Sequence, residues 1–180
     1  MDGICIWWIG EREPEPGMID HVAMHVQHAF GVPVKVLDDP ARPVGTLDAR
    51  RRQHASGRVL KWLLENAPDR AKVLGVTDVD LFIPILTFVF GEAQLGGKAA
   101  VVSTARLKEP VPVADARLVI ERLAKEAIHE LGHAMGLVHC STPDCAMGRS
   151  ASVRDVDTKR GVLCSGCRAD LRARAAGGTS

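Results

Sequence analysis

Residues 129–139 of the chain read His129-Glu130-Leu-Gly-His133-Ala-Met-Gly136-Leu-Val-His139. Residues four apart lie on one face of a helix, so His129 and His133 can approach one ion together, with Glu130 beside that face. Gly136 permits a positive φ, which lets the chain turn sharply and bring His139 back as a third ligand. Three imidazoles suit Zn²⁺ and leave a fourth position open for water, so the stretch predicts a helix that ends in a catalytic zinc site.

The alternative is that these are unrelated histidines on a helix surface. By average residue usage, HExxH alone occurs by chance in roughly one chain in a few hundred of this length. The added glycine and third histidine lower that frequency to about 1 in 10⁵. The metal site is therefore the stronger interpretation.

Four of the five cysteines crowd into the segment that follows, with the spacing C-x4-C-x18-C-x2-C at Cys140, Cys145, Cys164 and Cys167. Two close pairs separated by a loop are typical of a closed, structural four-thiolate zinc site. Two disulfides, or a redox-active Cys164-x2-Cys167, are the alternatives. Successive side chains of an extended segment point in opposite directions, so His139 and Cys140 can serve different ions. The sequence thus predicts two Zn²⁺ per chain.

Composition narrows the class of protein. The chain has 180 residues, of which 46% are apolar and 25% charged, as in a soluble globular domain. Its net charge of +1 gives no reason to expect a nucleic-acid or membrane partner, and nothing in the pattern bears on oligomeric state. Asp2 and the short apolar stretch 4–9 do not resemble a signal peptide. We therefore expect a cytoplasmic location, where thiols stay reduced.

Local patterns predict an α+β fold in which helices pack on a mixed sheet. Gly136 divides the chain into 1–136, with the sheet and the active-site helix, and 137–180, a small zinc-braced C-terminal subdomain. His21, His25 and His28 form a stripe on one predicted helix, which we interpret as a solvated face. The predicted strands are 4–9, 32–37, 71–76, 83–90 and 99–103, and the predicted helices are 18–30, 48–66, 115–135 and a short one after Cys167.

These motifs carry a family resemblance. HExxHxxGxxH is the metzincin signature. Its continuation through Cys140, Cys145 and Met147 to Cys164-x2-Cys167 resembles the archaemetzincins, as does the stretch 96–103 (GGKAAVVS). The resemblance implies a metzincin-like twisted mixed sheet, with Met147 as the Met-turn residue that forms a floor beneath the histidines.

The same resemblance implies an activity, namely zinc-dependent hydrolysis of peptides or unfolded protein with Glu130 as general base. It also implies that the strand at 98–103 is a sheet edge that pairs with an extended substrate. Some metzincins place a tyrosine past the Met-turn, but this chain has no tyrosine. Arg149 is a candidate substitute, although an exposed surface residue is the commoner role.

Two other functions stay open on the sequence alone. One is a catalytically weak or inactive, zinc-stabilised peptide-binding protein on a metzincin scaffold. The other is a zinc-stabilised structural protein without a substrate. A protein released from catalysis would be free to lose its general base, so the presence of Glu130 favours the enzyme.

Overall fold

The computed structural model describes residues 3–109 and 115–177. Its strands, in chain order, are β1 (Ile4–Trp8), β2 (Val34–Leu37), β3 (Leu47–Asp48), β4 (Gln53–Ala55), β5 (Lys72–Thr77), β6 (Leu81–Phe82), β7 (Gly91–Ala93) and β8 (Ala99–Ser103). Its helices are α1 (Met18–Phe30), α2 (Ser56–Asn66), α3 (Ala116–Ala134), α4 (Val153–Thr158) and α5 (Ser165–Gly177), with a 3₁₀ turn at Arg106–Lys108. This is the α+β class that the sequence predicts.

The main sheet is mixed. Its five strands have the order β2-β1-β5-β8-β7, and all neighbours are parallel except β7, which runs antiparallel to β8. Side chains alternate between the faces of a strand. Accordingly Ile4 and Ile6 join the core beneath α1 and α3, whereas Cys5 and Trp7 join the core beneath α2. Cys5 is thus a small buried side chain among apolar neighbours.

Helix α3 delivers the histidine motif. It begins at Asp115, whose carboxylate accepts the backbone N–H of Leu118 at 3.1 Å, a standard N-cap. It ends before Gly136, which has a φ of 90° as the motif predicts. The N–H groups of Gly136 and Leu137 bond back to the carbonyls of His133 and Gly132, at 2.8 and 2.9 Å. These bonds close a tight turn directly after the second histidine.

The segment after this turn packs onto the same core. Leu137, Met147 and Leu163 are fully buried in the cluster that α1 and α3 share. Arg122 of α3 holds α4 in place through two parallel 2.7 Å hydrogen bonds from its guanidinium to the carboxylate of Asp157. Among residues 3–109 and 115–177, no helix is both long enough and apolar enough to cross a bilayer.

Two predicted elements are wrong. The predicted helix 48–66 begins only at Ser56, because the Asp48 carboxylate accepts the N–H groups of Arg50 and Arg51 and starts a turn between β3 and β4. The predicted strand 83–90 is a turn-containing loop between β6 and β7, since Pro84 has no N–H for a ladder. Helix α4 was not predicted, and α5 begins before Cys167 rather than after it.

Candidate metal centres and active-site cleft

The three motif histidines converge at the C-terminal end of α3. His129 and His133 are one turn apart, and their Nε2 atoms are 3.1 Å from each other. The ring of His139, carried by the turn at Gly136, has its centre 5.3 Å from that of His129 and 4.8 Å from that of His133. One nitrogen of each ring lies within 4.8 Å of the other two. The spacing that selected these residues therefore brings them to one point.

Hydrogen bonds fix which ring nitrogen carries the proton. The Nδ1 atoms of His129 and His133 lie 2.8 Å from the carbonyl oxygens of Ala146 and Leu137. A carbonyl only accepts, so both Nδ1 atoms are protonated and two Nε2 lone pairs face each other. Two ligand nitrogens of a tetrahedral Zn²⁺ with bonds of 2.0–2.1 Å are about 3.3 Å apart. This donor set fits a zinc ion.

Glu130 lies beside the histidines and is itself buried. Burial raises the pKa of its carboxyl well above the usual range; the nearby negative charge of Glu126 acts in the same direction and Lys159 opposes it. A cation at the histidines would lower that pKa again by Coulombic attraction. Burial also lowers the pKa of His129 to about 3, assisted by the positive charge of Lys159, which favours the neutral imidazole that binds metals.

A buried ion pair behind His129 escaped the sequence analysis. The Nζ of Lys159 donates to Glu126 at 2.8 Å, and the two side chains are each only 3% exposed. The same Nζ is 3.4 Å from His129 Nδ1, and Ser150 adds a 3.2 Å hydrogen bond to Glu126. Glu126 occupies a buried position of α3, four residues before Glu130, where an apolar side chain is usual. A charged residue at such a position was the signal in the sequence that it has a buried partner.

Two glycines next to the motif also escaped the analysis. A Cβ at Gly91 of β7 would lie 2.6 Å from Glu130 Cγ, and a Cβ at Gly132 would overlap Met147 Sδ. Met147 is fully buried against α3 at this point, where the family resemblance puts the floor of the site. A glycine inside an amphipathic helix often indicates close packing against a neighbour, so Gly132 could have predicted this contact.

A cleft of about 540 Å³ opens in front of the histidines. Residues 86–93, Glu130 and residues 149–151 line it, together with the three histidines. Arg149 is exposed at this rim.

The predicted edge strand must be corrected. Strand β8 lies inside the sheet, hydrogen-bonded to β5 on one side and to β7 on the other. The edge strand is β7, whose residues line the cleft. The prediction rested on the family resemblance, and it missed the three-residue strand β7, which pairs with the outer side of β8.

The four predicted cysteines form a second cluster. Their Sγ atoms lie within 4.8 Å of one another, with 3.8 Å between Cys140 and Cys164 and between Cys145 and Cys167. Two thiolates of a tetrahedral zinc with 2.3 Å bonds are about 3.8 Å apart, whereas a disulfide needs about 2.05 Å. All four are free cysteines, so the disulfide alternative does not hold here. The backbone N–H of Cys167 lowers the pKa of the Cys164 thiol to about 6.

Comparison with known proteins identifies the class of enzyme to which the chain belongs. The model of peptidase family M54 matches residues 59–173. The chain superposes with a TM-score of 0.84 on a zinc-dependent peptidase from Methanocorpusculum labreanum, at 31% identity and with 93% and 99% of the two chains covered. The chain is a zinc metallopeptidase.

The relatives then give the family. An archaemetzincin from Archaeoglobus fulgidus is 40% identical over 154 residues, which are 86% of this chain and 91% of that one. The crystal structure of an archaemetzincin from Methanopyrus kandleri superposes with a TM-score of 0.86 at 36% identity, covering 97% of this chain and 95% of that one. The chain belongs to the archaemetzincins, and the reading as an inactive peptide-binding scaffold is not favoured.

Proposed function

We propose that the chain hydrolyses peptide bonds at the three-histidine cluster, with His129, His133 and His139 as ligands of a catalytic zinc and Glu130 as general base. One observation carries this assignment. Fixed Nδ1 hydrogen bonds leave unprotonated Nε2 atoms aimed at one point, next to a carboxylate and open to a cleft. A closed structural site would have no such opening.

When bound, zinc would supply Lewis acidity, which activates water and polarises a carbonyl. Glu130 sits next to the ligands without occupying their point of convergence, so its carboxylate oxygen can take the proton of the attacking water. It then returns that proton to the leaving amine. Met147, packed beneath Gly132, is proposed to hold the ligand-bearing turn of α3 in place.

We assign substrate pairing to the free edge of β7. In an antiparallel pair, successive residues bond alternately toward and away from the partner strand. Phe90 and Gln94 bond to the β8 side, through Ser103 N–H and Ala99 C=O. The backbone groups of Gly91 and Ala93 therefore point to the free edge of β7, and both residues line the same cleft as the histidines. Main-chain pairing there would hold an extended peptide or unfolded segment with little sequence preference.

The cysteine cluster is proposed to hold a second, structural zinc, which makes two per chain. We further propose that 1–136 and 137–180 act as two subdomains, because the cleft has lining residues from both parts, 86–93 from the first and 149–151 from the second. Thiolates must stay reduced to bind zinc, so a cytoplasmic location suits this assignment.

The test is cleavage of an unbiased peptide library by zinc-loaded protein, read by mass spectrometry. Glu130→Gln should lose cleavage by about 10²-fold or more while keeping its zinc. Glu65→Gln, an exposed carboxylate on α2, is the matched control and should cleave as the wild type does. Full cleavage by Glu130→Gln would contradict the assignment, and binding without cleavage by the wild type would restore the scaffold alternative.

Metal counting tests the ligand sets separately. His133→Ala should lose one zinc and keep the fold, whereas Cys164→Ala should lose the other and loosen the segment after Gly136. Elemental analysis after gel filtration gives the count. One zinc per wild-type chain, rather than two, would contradict one of the two sites.

A further inference from the structure

A third group of potential ligands lies away from both clusters described above. His21 and His25 are one turn apart on α1, and Glu121 faces them from α3. One ligand atom of each lies within 4.8 Å of the others, and His21 Nε2 is 3.4 Å from Glu121 Oε1. The two rings are stacked, with centres 4.2 Å apart. All three side chains are half-buried, unlike the solvated stripe that the sequence indicates; only His28 is exposed as expected.

The tautomer of His25 leaves a nitrogen free for a ligand. Its Nδ1 lies 2.9 Å from the carbonyl oxygen of His21, so Nδ1 carries the proton and Nε2 keeps its lone pair. Metal-binding histidines commonly donate their other ring N–H to a carbonyl in this way. The Nδ1 atoms of His129 and His133 make the same kind of bond.

The Nε2 atom of His21 lacks a hydrogen-bond partner within the described part of the chain. This atom is also shielded from solvent. Buried polar atoms normally have a partner, and an unmet one is costly. The Glu121 carboxylate, at 3.4 Å, lies beyond ordinary hydrogen-bonding distance but at the separation of two ligands of one ion.

No neighbouring lysine neutralises this carboxylate from its own helix. Lys125 is four residues further along α3, the spacing for a helical ion pair. Its ammonium instead donates to the carbonyls of Val156 and Asp157, at 3.3 and 3.2 Å. Among the ion pairs of the described residues, Glu121 takes part only in its contact with His21, and neither Lys125 nor Arg117 pairs with it. Its carboxylate therefore remains available to a cation between the helices.

We propose that His21, His25 and Glu121 form a binding site for a divalent transition metal of the Zn²⁺ type. Two imidazoles and one carboxylate suit such an ion, and water would complete the coordination. Glu121 precedes His129 by eight residues, so the site is about 12 Å along α3 from the histidine cluster. A metal there would crosslink α1 to α3, the helix that carries the motif.

The first experiment counts zinc at rising free Zn²⁺ by equilibrium dialysis. The wild type should take up one equivalent beyond those it retains at low free Zn²⁺. His21→Ala and Glu121→Gln should both lack that equivalent. Glu121→Gln replaces only a carboxylate by an amide on a half-exposed side chain, so it should leave the fold unchanged. His28→Ala, on the same helix but outside the cluster, should keep it.

Thermal unfolding gives a second reading. At a zinc concentration about 100 times the dissociation constant, the midpoint of the wild type and of His28→Ala should rise by about 5–10 °C more than that of Glu121→Gln. The site is absent if the wild type takes up no further equivalent, if His28→Ala loses as much zinc as His21→Ala, or if all variants shift alike. None of these results depends on peptide cleavage.

Discussion

Replacing Gly132 by alanine tests how tightly the motif helix packs on Met147. In an ordinary helix interior, Gly→Ala stabilises by about 1 kcal/mol because alanine has the higher helix propensity. Here the new Cβ would overlap Met147 Sδ and lie 3.0 Å from its Cε. Met147 is fully buried, and because protein interiors are close-packed, a shift of its Sδ and Cε would displace neighbouring core side chains.

The two effects oppose each other, and their sizes decide the sign. Overpacking of a well-filled core costs about 1–3 kcal/mol. Set against a gain of about 1 kcal/mol, Gly132→Ala should destabilise by roughly 0–2 kcal/mol. Gly57→Ala on α2 is the matched control, because nothing lies within 4 Å of the added Cβ. It should stabilise by about 0.4–1 kcal/mol.

Thermal and urea unfolding of zinc-saturated protein compare the two variants. The two expectations differ by about 0.4–3 kcal/mol, which corresponds to roughly 1–12 °C between the midpoints of the two variants. In a Met147→Ala background the obstacle is removed, so Gly132→Ala should become stabilising. If Gly132→Ala stabilises the intact protein as much as Gly57→Ala does, the close packing of α3 on Met147 is refuted.

Three further changes test neighbouring features. In Gly91→Ala, the added Cβ would lie 2.5 Å from a carbonyl oxygen of β8 and 2.6 Å from Glu130, the proposed general base. Displacement of Glu130 should reduce kcat/KM by about tenfold or more, and unchanged peptide cleavage would contradict this. Lys159→Met leaves the Glu126 carboxylate buried without its cation, so urea unfolding should show a free energy of unfolding lower by about 3–5 kcal/mol. Adding Glu126→Gln to this variant should restore part of that free energy, which is the check. The Ser152 hydroxyl and adjacent backbone N–H groups hold the pKa of Asp155 below 3.8, so its stabilisation is present above pH 3.8 and is lost as pH falls through the lower, folded value. The stability difference between wild type and Asp155→Asn should therefore shrink in acid, and a constant difference would oppose this.

The seven side chains selected from the sequence lie in two clusters, because the signals that selected them are short-range spacings; their role as zinc ligands stays a prediction. His129 and His133 share a helix face, and Gly136 has the positive φ that returns His139. Helix α1 was predicted at its observed bounds, since its apolar spacing and terminal Gly31 are both local signals.

The errors come from long-range effects. The loop 83–90 contains enough apolar residues to resemble a strand. It is a loop because it connects β6 of the three-stranded sheet to β7 of the five-stranded sheet. Strand β8 lies inside the sheet because it pairs with β5 as well as with β7, and β5 ends at Thr77, 22 positions before β8 begins at Ala99. The ion pair of Lys159 and Glu126 joins residues 33 positions apart, so a charged residue in the helix core at Glu126 does not by itself identify its partner.

One short segment touches both clusters, so with the proposed zinc at each cluster their two ion affinities would be interdependent. Cys145 contributes its thiol to one cluster, the Ala146 carbonyl accepts from His129 at the other, and the Met147 carbonyl accepts the N–H of Cys140 at 3.0 Å. An ion that orders this segment at one cluster lowers the entropic cost of binding at the other. Thermodynamic linkage makes the effect reciprocal, so each zinc would raise the affinity for the other by the same factor. Oxidation of the thiols would then weaken zinc binding at the histidines and connect peptidase activity to the redox state of the cell.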